Sequence, residues 1–230
     1  MPKRIDSHQR RSALLGLLAS CIGGGLFVGS GLAHADGLAL LAQFMKHSRS
    51  GRAQFSQVVT SPSRAGQVPR SKTSSGSFEF QRPGKFRFDY RKPFAQTLVA
   101  DGQTFWLHDV ELNQVTARPQ AQVLGSTPAA LLTAASDLQA LKADFQFAVE
   151  PDRDGLQWVR ATPITADGQI RSVLVGLRAV PSGAELAVLD VQDSLGQRSL
   201  LTFSALETIP VLPAITFVFK APAVAVVIRP

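Results

Sequence analysis

Few residues of this 230-residue chain have the type and spacing for covalent or metal chemistry. Beyond residue 35 the histidines are His47 and His108, and neither has a Cys, His or carboxylate neighbour at ligand spacing. Gly84-Lys85 does not form a phosphate loop: Glu79 stands where the first glycine belongs, and Phe86 where Ser or Thr belongs. Asp152 and Asp154 lie in a turn-like "PDRDG" that lacks the remaining ligands of a calcium loop. No G-x-S-x-G elbow occurs. The residue types therefore point away from catalysis, with no metal and no cofactor expected, and toward binding.

What the sequence does concentrate is aromatic surface. In "SFEFQRPGKFRFDY" (residues 77–90), Phe78 and Phe80, then Phe86, Phe88 and Tyr90, fall on one face of an extended chain. Ser77, Glu79, Lys85, Arg87 and Asp89 fall on the other, which is the period-2 pattern of a strand with one apolar face. Arg82-Pro83-Gly84 between the halves is a turn signal, so the stretch predicts a hairpin. Five large aromatic rings on one hairpin face need an apolar partner, either the protein's own core or a ligand.

Composition allows either. Hydrophobic residues at 45% and charged residues at 18% suit a globular chain with a sizeable core. The first 35 residues read as a secretory signal: Lys3, Arg4, Arg10 and Arg11, then the apolar "ALLGLLASCIGGGLFVGSGL", then "AHA" before Asp36. Removing them takes away four basic residues and one acid (Asp6), so the formal net charge falls from +7 to +4. That mild excess is no nucleic-acid footprint. No other apolar run reaches the length of a membrane span, so no stable membrane insertion is expected. Cys21, the only cysteine, lies in "LASC", which resembles a lipobox. The residues after it are apolar and glycine-rich rather than a polar tether, which favours cleavage after Ala35.

The remaining elements must position the aromatic face. "GLALLAQFMKH" (37–47) predicts a short helix, and "RAQFSQVVT" (52–60) a first strand that contains Phe55. Residues 61–76, rich in Ser, Pro, Arg and Gly, read as a loop. "QTLV" and "TFWLHD", joined by "ADGQ", form a second hairpin with Leu98 and Trp106. Thr127-Pro128 in "GSTPAALLTAAS" marks a helix start. From Phe145 onward the sequence reads as strands, including "AITFVFKAP" (214–222) as the last. The fold expected is one mainly β domain over residues 36–230, a large antiparallel sheet that curls, with small helices.

"GSFEFQRPGKFRFDYRKPFAQTLVADGQTFWLHDVELNQVT" resembles the outer-membrane lipoprotein carriers of Gram-negative bacteria, the LolA family. Its pattern joins G-x-aromatic-x-aromatic-x-R-P to F-R-x-x-Y-x-x-P, then L-V-x-D-G-x-x-x-W and Q-V-T. The likeness continues through "GSTPAALL", "GLQWVRATP", "DSLGQRSLLTF" and "FVFKAP", in a consistent order. The resemblance implies an incomplete antiparallel β-barrel under a helical lid, with an apolar cavity between them. It also implies a soluble monomeric periplasmic carrier that takes acylated lipoproteins from an inner-membrane ABC transporter to an outer-membrane receptor lipoprotein. The cavity wall would then be Phe55, Phe78, Phe80, Phe86, Phe88, Tyr90, Leu98 and Trp106. Arg82 matches the family arginine that hydrogen-bonds the lid and holds the empty carrier shut. The chain departs from the pattern at His108, where Tyr is frequent, and at Pro222-Ala223-Val224-Ala225, where P-x-G-V-D is frequent.

Three other readings stay open: a receptor of the same fold anchored at Cys21, a lipoprotein-sensing regulator, and a hydrolase for which nucleophile and base are missing. The leader decides the first of them. Cleavage after Ala35 predicts a mature N-terminus at Asp36, read directly by intact-protein mass spectrometry. A diacylglyceryl group on Cys21 would instead make the chain an anchored receptor.

Overall fold

The computed structural model describes residues 36–62, 68–123, 133, 135–165 and 168–230. Helix α1 spans Gly37–His47, as the apolar spacing predicts. Asp36 caps it, its carboxylate accepting the Ala39 N–H at 2.7 Å. Leu40, Leu41, Phe44 and Met45 form its buried stripe. Two one-turn helices, α2 (Gln120–Val123) and α3 (Leu138–Leu141), were not predicted. The helix start at Thr127-Pro128 lies outside the described residues.

Among the described residues twelve strands form one sheet: β1 Ser50–Thr60, β2 Ser71–Gln81, β3 Lys85–Lys92, β4 Gln96–Asp101, β5 Thr104–Asp109, β6 Gln114–Pro119, β7 Phe145–Arg153, β8 Leu156–Pro163, β9 Ile170–Val180, β10 Gly183–Asp193, β11 Arg198–Thr208 and β12 Val226–Ile228. Their order is β12-β6-β5-β4-β3-β2-β1-β11-β10-β9-β8-β7, so the two ends remain apart and the sheet is open. Every neighbour pair is antiparallel except β12 with β6. The architecture is thus mainly β, an open curled sheet with few helices, as the sequence predicts.

One face of this sheet carries the main core. Val159 and Ala161 of β8, Val175 and Leu177 of β9, and Leu186 and Leu189 of β10 join the stripe of α1. Phe203 of β11 and Phe55 of β1 continue the same cluster into the aromatic hairpin. Burial of this continuous apolar surface, at about 25 cal/mol per Å², is the term that holds helix to sheet.

Two expectations need correction. Residues 71–76 are not loop: they extend β2, because β1 offers a full-length partner that pairs Thr60 with Ser71 and Gln57 with Ser74. Residues 214–222 are not a strand: Ala214–Phe217 form a 3-10 turn after Pro213. That segment lies against the outer face, with Leu212 and Phe217 buried, and the chain then returns as β12 beside β6.

At Gly76 the β2–β3 register shifts, and the strands approach so closely that a Cβ would sit 1.9 Å from the Asp89 carbonyl oxygen. Gly76→Ala must force the ladder apart next to the aromatic rows. The expected cost is about 2 kcal/mol, seen as a lower urea midpoint. An unchanged midpoint would mean that β2 and β3 are not packed this closely.

Candidate functional site

The hairpin pairs Phe78 with Phe88 and Phe80 with Phe86, with Gln81 opposite Lys85, so the turn is Arg82-Pro83-Gly84. Gly84 takes a positive φ of 75° that favours glycine. This register puts four phenylalanines in two facing rows. The Phe78 ring stacks on Phe80 at 5.5 Å and meets Phe88 at 4.4 Å and Phe203 at 5.5 Å. Phe55 points edge-on at Phe88 (5.1 Å) and Tyr90 (4.9 Å). Leu98 lies opposite Phe88 on β4 and packs on the same cluster. Aromatic pairs at such distances add about 0.5–1.5 kcal/mol beyond their buried area.

Seven of the eight expected wall residues therefore come together. Trp106 does not. On β5 it is opposite Val99, whereas Phe105, opposite Ala100, faces the core. Trp106 stacks on Phe219 at 5.4 Å on the outer face and donates its indole N–H to Asp101 at 3.1 Å. Partial burial raises the Asp101 pKa, but N–H donors from Thr104, Gln103 and Trp106 outweigh it and hold the carboxyl below its usual range. "TFWLH" is apolar in both phases, so only pairing decides which ring turns inward.

Among the described residues the wall is tightly packed at the end near Arg82. Phe44, Phe78, Arg82 and Leu206 leave no room between them for a water molecule. In this state the aromatic rings are core, and an apolar guest must displace neighbours to reach them.

Arg82 closes that end. Its guanidinium donates from Nη1 to the Ser48 carbonyl and, at 3.5 Å, to the Met45 carbonyl, both at the C-terminus of α1. There the positive charge also meets the negative end of the helix dipole. The Phe44 and Phe80 rings lie 4.9 and 5.2 Å from the guanidinium carbon. Burial pushes the Arg82 pKa down to about 10, so the side chain stays charged at neutral pH.

Sequence reasoning missed the residue that steadies this turn. Gln120, buried at the start of α2, donates from Nε2 to the Gly84 carbonyl at 2.6 Å and accepts the Gly102 N–H at 2.9 Å. It ties the ends of both hairpins together. The Gly84 N–H in turn donates to the Thr133 carbonyl at 2.6 Å. No local pattern marks a glutamine for this task. Among the described residues no group of three or more His, Cys, Asp or Glu is placed to hold a metal. His47 instead bonds the Gln43 carbonyl (2.9 Å), and His108 lies 6.0 Å from the Phe219 ring.

An open sheet with an aromatic inner face, and a helix end held over it by a buried arginine, defines a class of β protein with an apolar interior. Residues 46–220 match the family model for "Outer membrane lipoprotein carrier protein LolA", and the chain belongs to that family. It is 62% identical over 200 residues to the outer-membrane lipoprotein carrier protein of Albidiferax ferrireducens, covering 87% of this chain and 94% of the relative. The protein of the same description from Leptothrix cholodnii is 51% identical, over 86% and 88% of the two chains. An uncharacterized conserved protein from Thermus thermophilus shares the fold at a TM-score of 0.50 and 11% identity, covering 84% and 96%.

Phe78 touches three other rings, so Phe78→Ala opens a cavity in the middle of the core. The expected loss is about 3–5 kcal/mol in chemical denaturation. A loss below about 1 kcal/mol would mean that the hairpin face is only loosely packed.

Proposed function

We propose that this chain is a periplasmic carrier that binds the acyl chains of lipoproteins released from the inner membrane and delivers them to an outer-membrane receptor. The single observation that carries the reading is the continuous aromatic inner face at Phe55, Phe78, Phe80, Phe86, Phe88, Tyr90 and Leu98, closed at one end by Arg82. The relatives named as outer-membrane lipoprotein carriers support it. So does the leader-like segment before Asp36, which would deliver a soluble chain to the periplasm. Among the described residues no helix is long and apolar enough to cross a membrane. The cargo comes from an ABC transporter of the inner membrane and leaves to a receptor lipoprotein, with the carrier acting as a monomer.

The physics of the task is a balance between two closed forms of one surface. Acyl chains gain about 0.8 kcal/mol per methylene on leaving water, so a long chain needs an apolar host between membranes. Without cargo, the aromatic face closes on itself and on α1. Arg82 is the latch of this empty state: it bonds helix carbonyls and contributes about 1.5–3 kcal/mol, an amount that cargo can overcome. Return of the latch then favours release.

Arg82→Leu separates these steps. Acceptance of lipoprotein from donor membranes should persist. Handover to the receptor should fall roughly thirtyfold, for a latch worth about 2 kcal/mol. Equal handover by wild type and variant would refute the latch. A wild-type protein that accepts no acylated lipoprotein at all would remove the carrier reading itself.

A further inference from the structure

The inner face of the sheet is not uniform along the strands. Toward Arg82 the described residues pack closely. At its other end a polar belt crosses three strands: Tyr90 of β3 donates its hydroxyl to Gln57 Oε1 of β1 (2.8 Å), and Gln57 Nε2 donates to Ser199 Oγ of β11 (2.6 Å). Burial pushes the Tyr90 pKa up to about 12, so the phenol remains a neutral donor. Beyond the belt an open mouth of about 620 Å³ follows, lined among others by Ser74, Lys72, Phe94 and Gln96. Tyr90 belongs to both regions: its ring packs on Phe55 and Phe88, and its side chain lines the mouth.

We propose that this mouth seats the polar linkage of the cargo: the glycerol–thioether and amide groups of an acylated N-terminal cysteine, with the first residues of its peptide. The proposal rests on the carrier reading and adds an orientation to it. Chains run inward past Tyr90 toward Phe88, and the peptide leaves through the mouth. Three features select this ligand chemistry. The mouth is continuous with the aromatic face, so an amphiphile can span both. Its volume suits a polar group of several linked atoms rather than a single ion. Its charges also balance, with Arg70 and Lys72 set against Asp109 and Glu111, which suits neutral ester and amide groups better than a phosphate. Lys72 is further occupied 4.7 Å over the Phe94 ring.

The test is a binding comparison with three probes: a tripalmitoyl-cysteinyl peptide, an uncharged hydrocarbon dye, and a phosphatidylglycerol of equal chain length. Two variants accompany wild type, Ser74→Trp to fill the mouth and Gln96→Leu to remove a polar group at constant bulk, each checked for folding by circular dichroism. Ser74→Trp should weaken the acylated peptide about tenfold or more, and Gln96→Leu about threefold or more, with the dye unchanged. Wild type should prefer the peptide to the phospholipid. Equal losses for dye and peptide, no loss in either variant, or equal affinity for the phospholipid would each overturn the seat. Failure of the seat alone leaves peptide binding by wild type intact. Absence of that binding would instead overturn the carrier reading.

Discussion

The contact on which the rest of the molecule depends is the meeting of Phe78 with Phe80, Phe88 and Phe203. It joins β2 and β3 to β11 across the curl of the sheet. A twelve-stranded sheet with one apolar face needs cover along its whole width, and α1 packs mainly against β7–β10. Among the described residues Val123, Ala135, Leu138 and the buried Leu141 also pack on this core. Toward the hairpin, rings packed against rings add to this cover. An interior held by many ring contacts can be reopened stepwise, since each contact is weak alone.

Polar groups then set where the interior stays closed. Arg82 and Gln120 both bond backbone groups, Arg82 the Ser48 and Met45 carbonyls and Gln120 the Gly84 carbonyl and the Gly102 N–H, so these bonds depend on how α1 and the two hairpin ends are placed. Separating α1 from the hairpin takes the Ser48 and Met45 carbonyls away from a buried guanidinium, which is costly. The opposite end has hydroxyl and amide groups that water can satisfy equally well. The sheet is therefore tight at one end and permissive at the other.

Much of this was legible in the sequence because the pattern is local. Alternation at residues 77–90 and the Arg82-Pro83-Gly84 turn fix the hairpin register with no knowledge of its neighbours. The spacing within 37–47 did the same for α1. What failed was non-local. Ser71–Gly76 has neither apolar alternation nor strand propensity and becomes strand only because β1 is beside it. Residues 214–222 have the propensity but pack across the outer face through side chains such as Phe217 and Phe219 instead of joining a strand ladder. Trp106 and Phe105 are equally apolar, and the choice between them belongs to β4 and β6. Gln120 carries no signal of its own, since its meaning comes from two turns far away in sequence.

An open sheet, unlike a closed barrel, has two borders where a second copy could add strands and grow a filament. The β7 border is a poor template: Pro151 lacks an N–H, the ladder to β8 is irregular between Glu150 and Arg153, and the Glu150–Arg160 ion pair (2.6 Å) sets charge beside it. At the other border β12 is only three residues long and runs parallel to β6, shielding a longer strand with a short one. These are the usual gatekeepers against polymerisation. They let the sheet stay open between its borders without that gap becoming a seed for fibres.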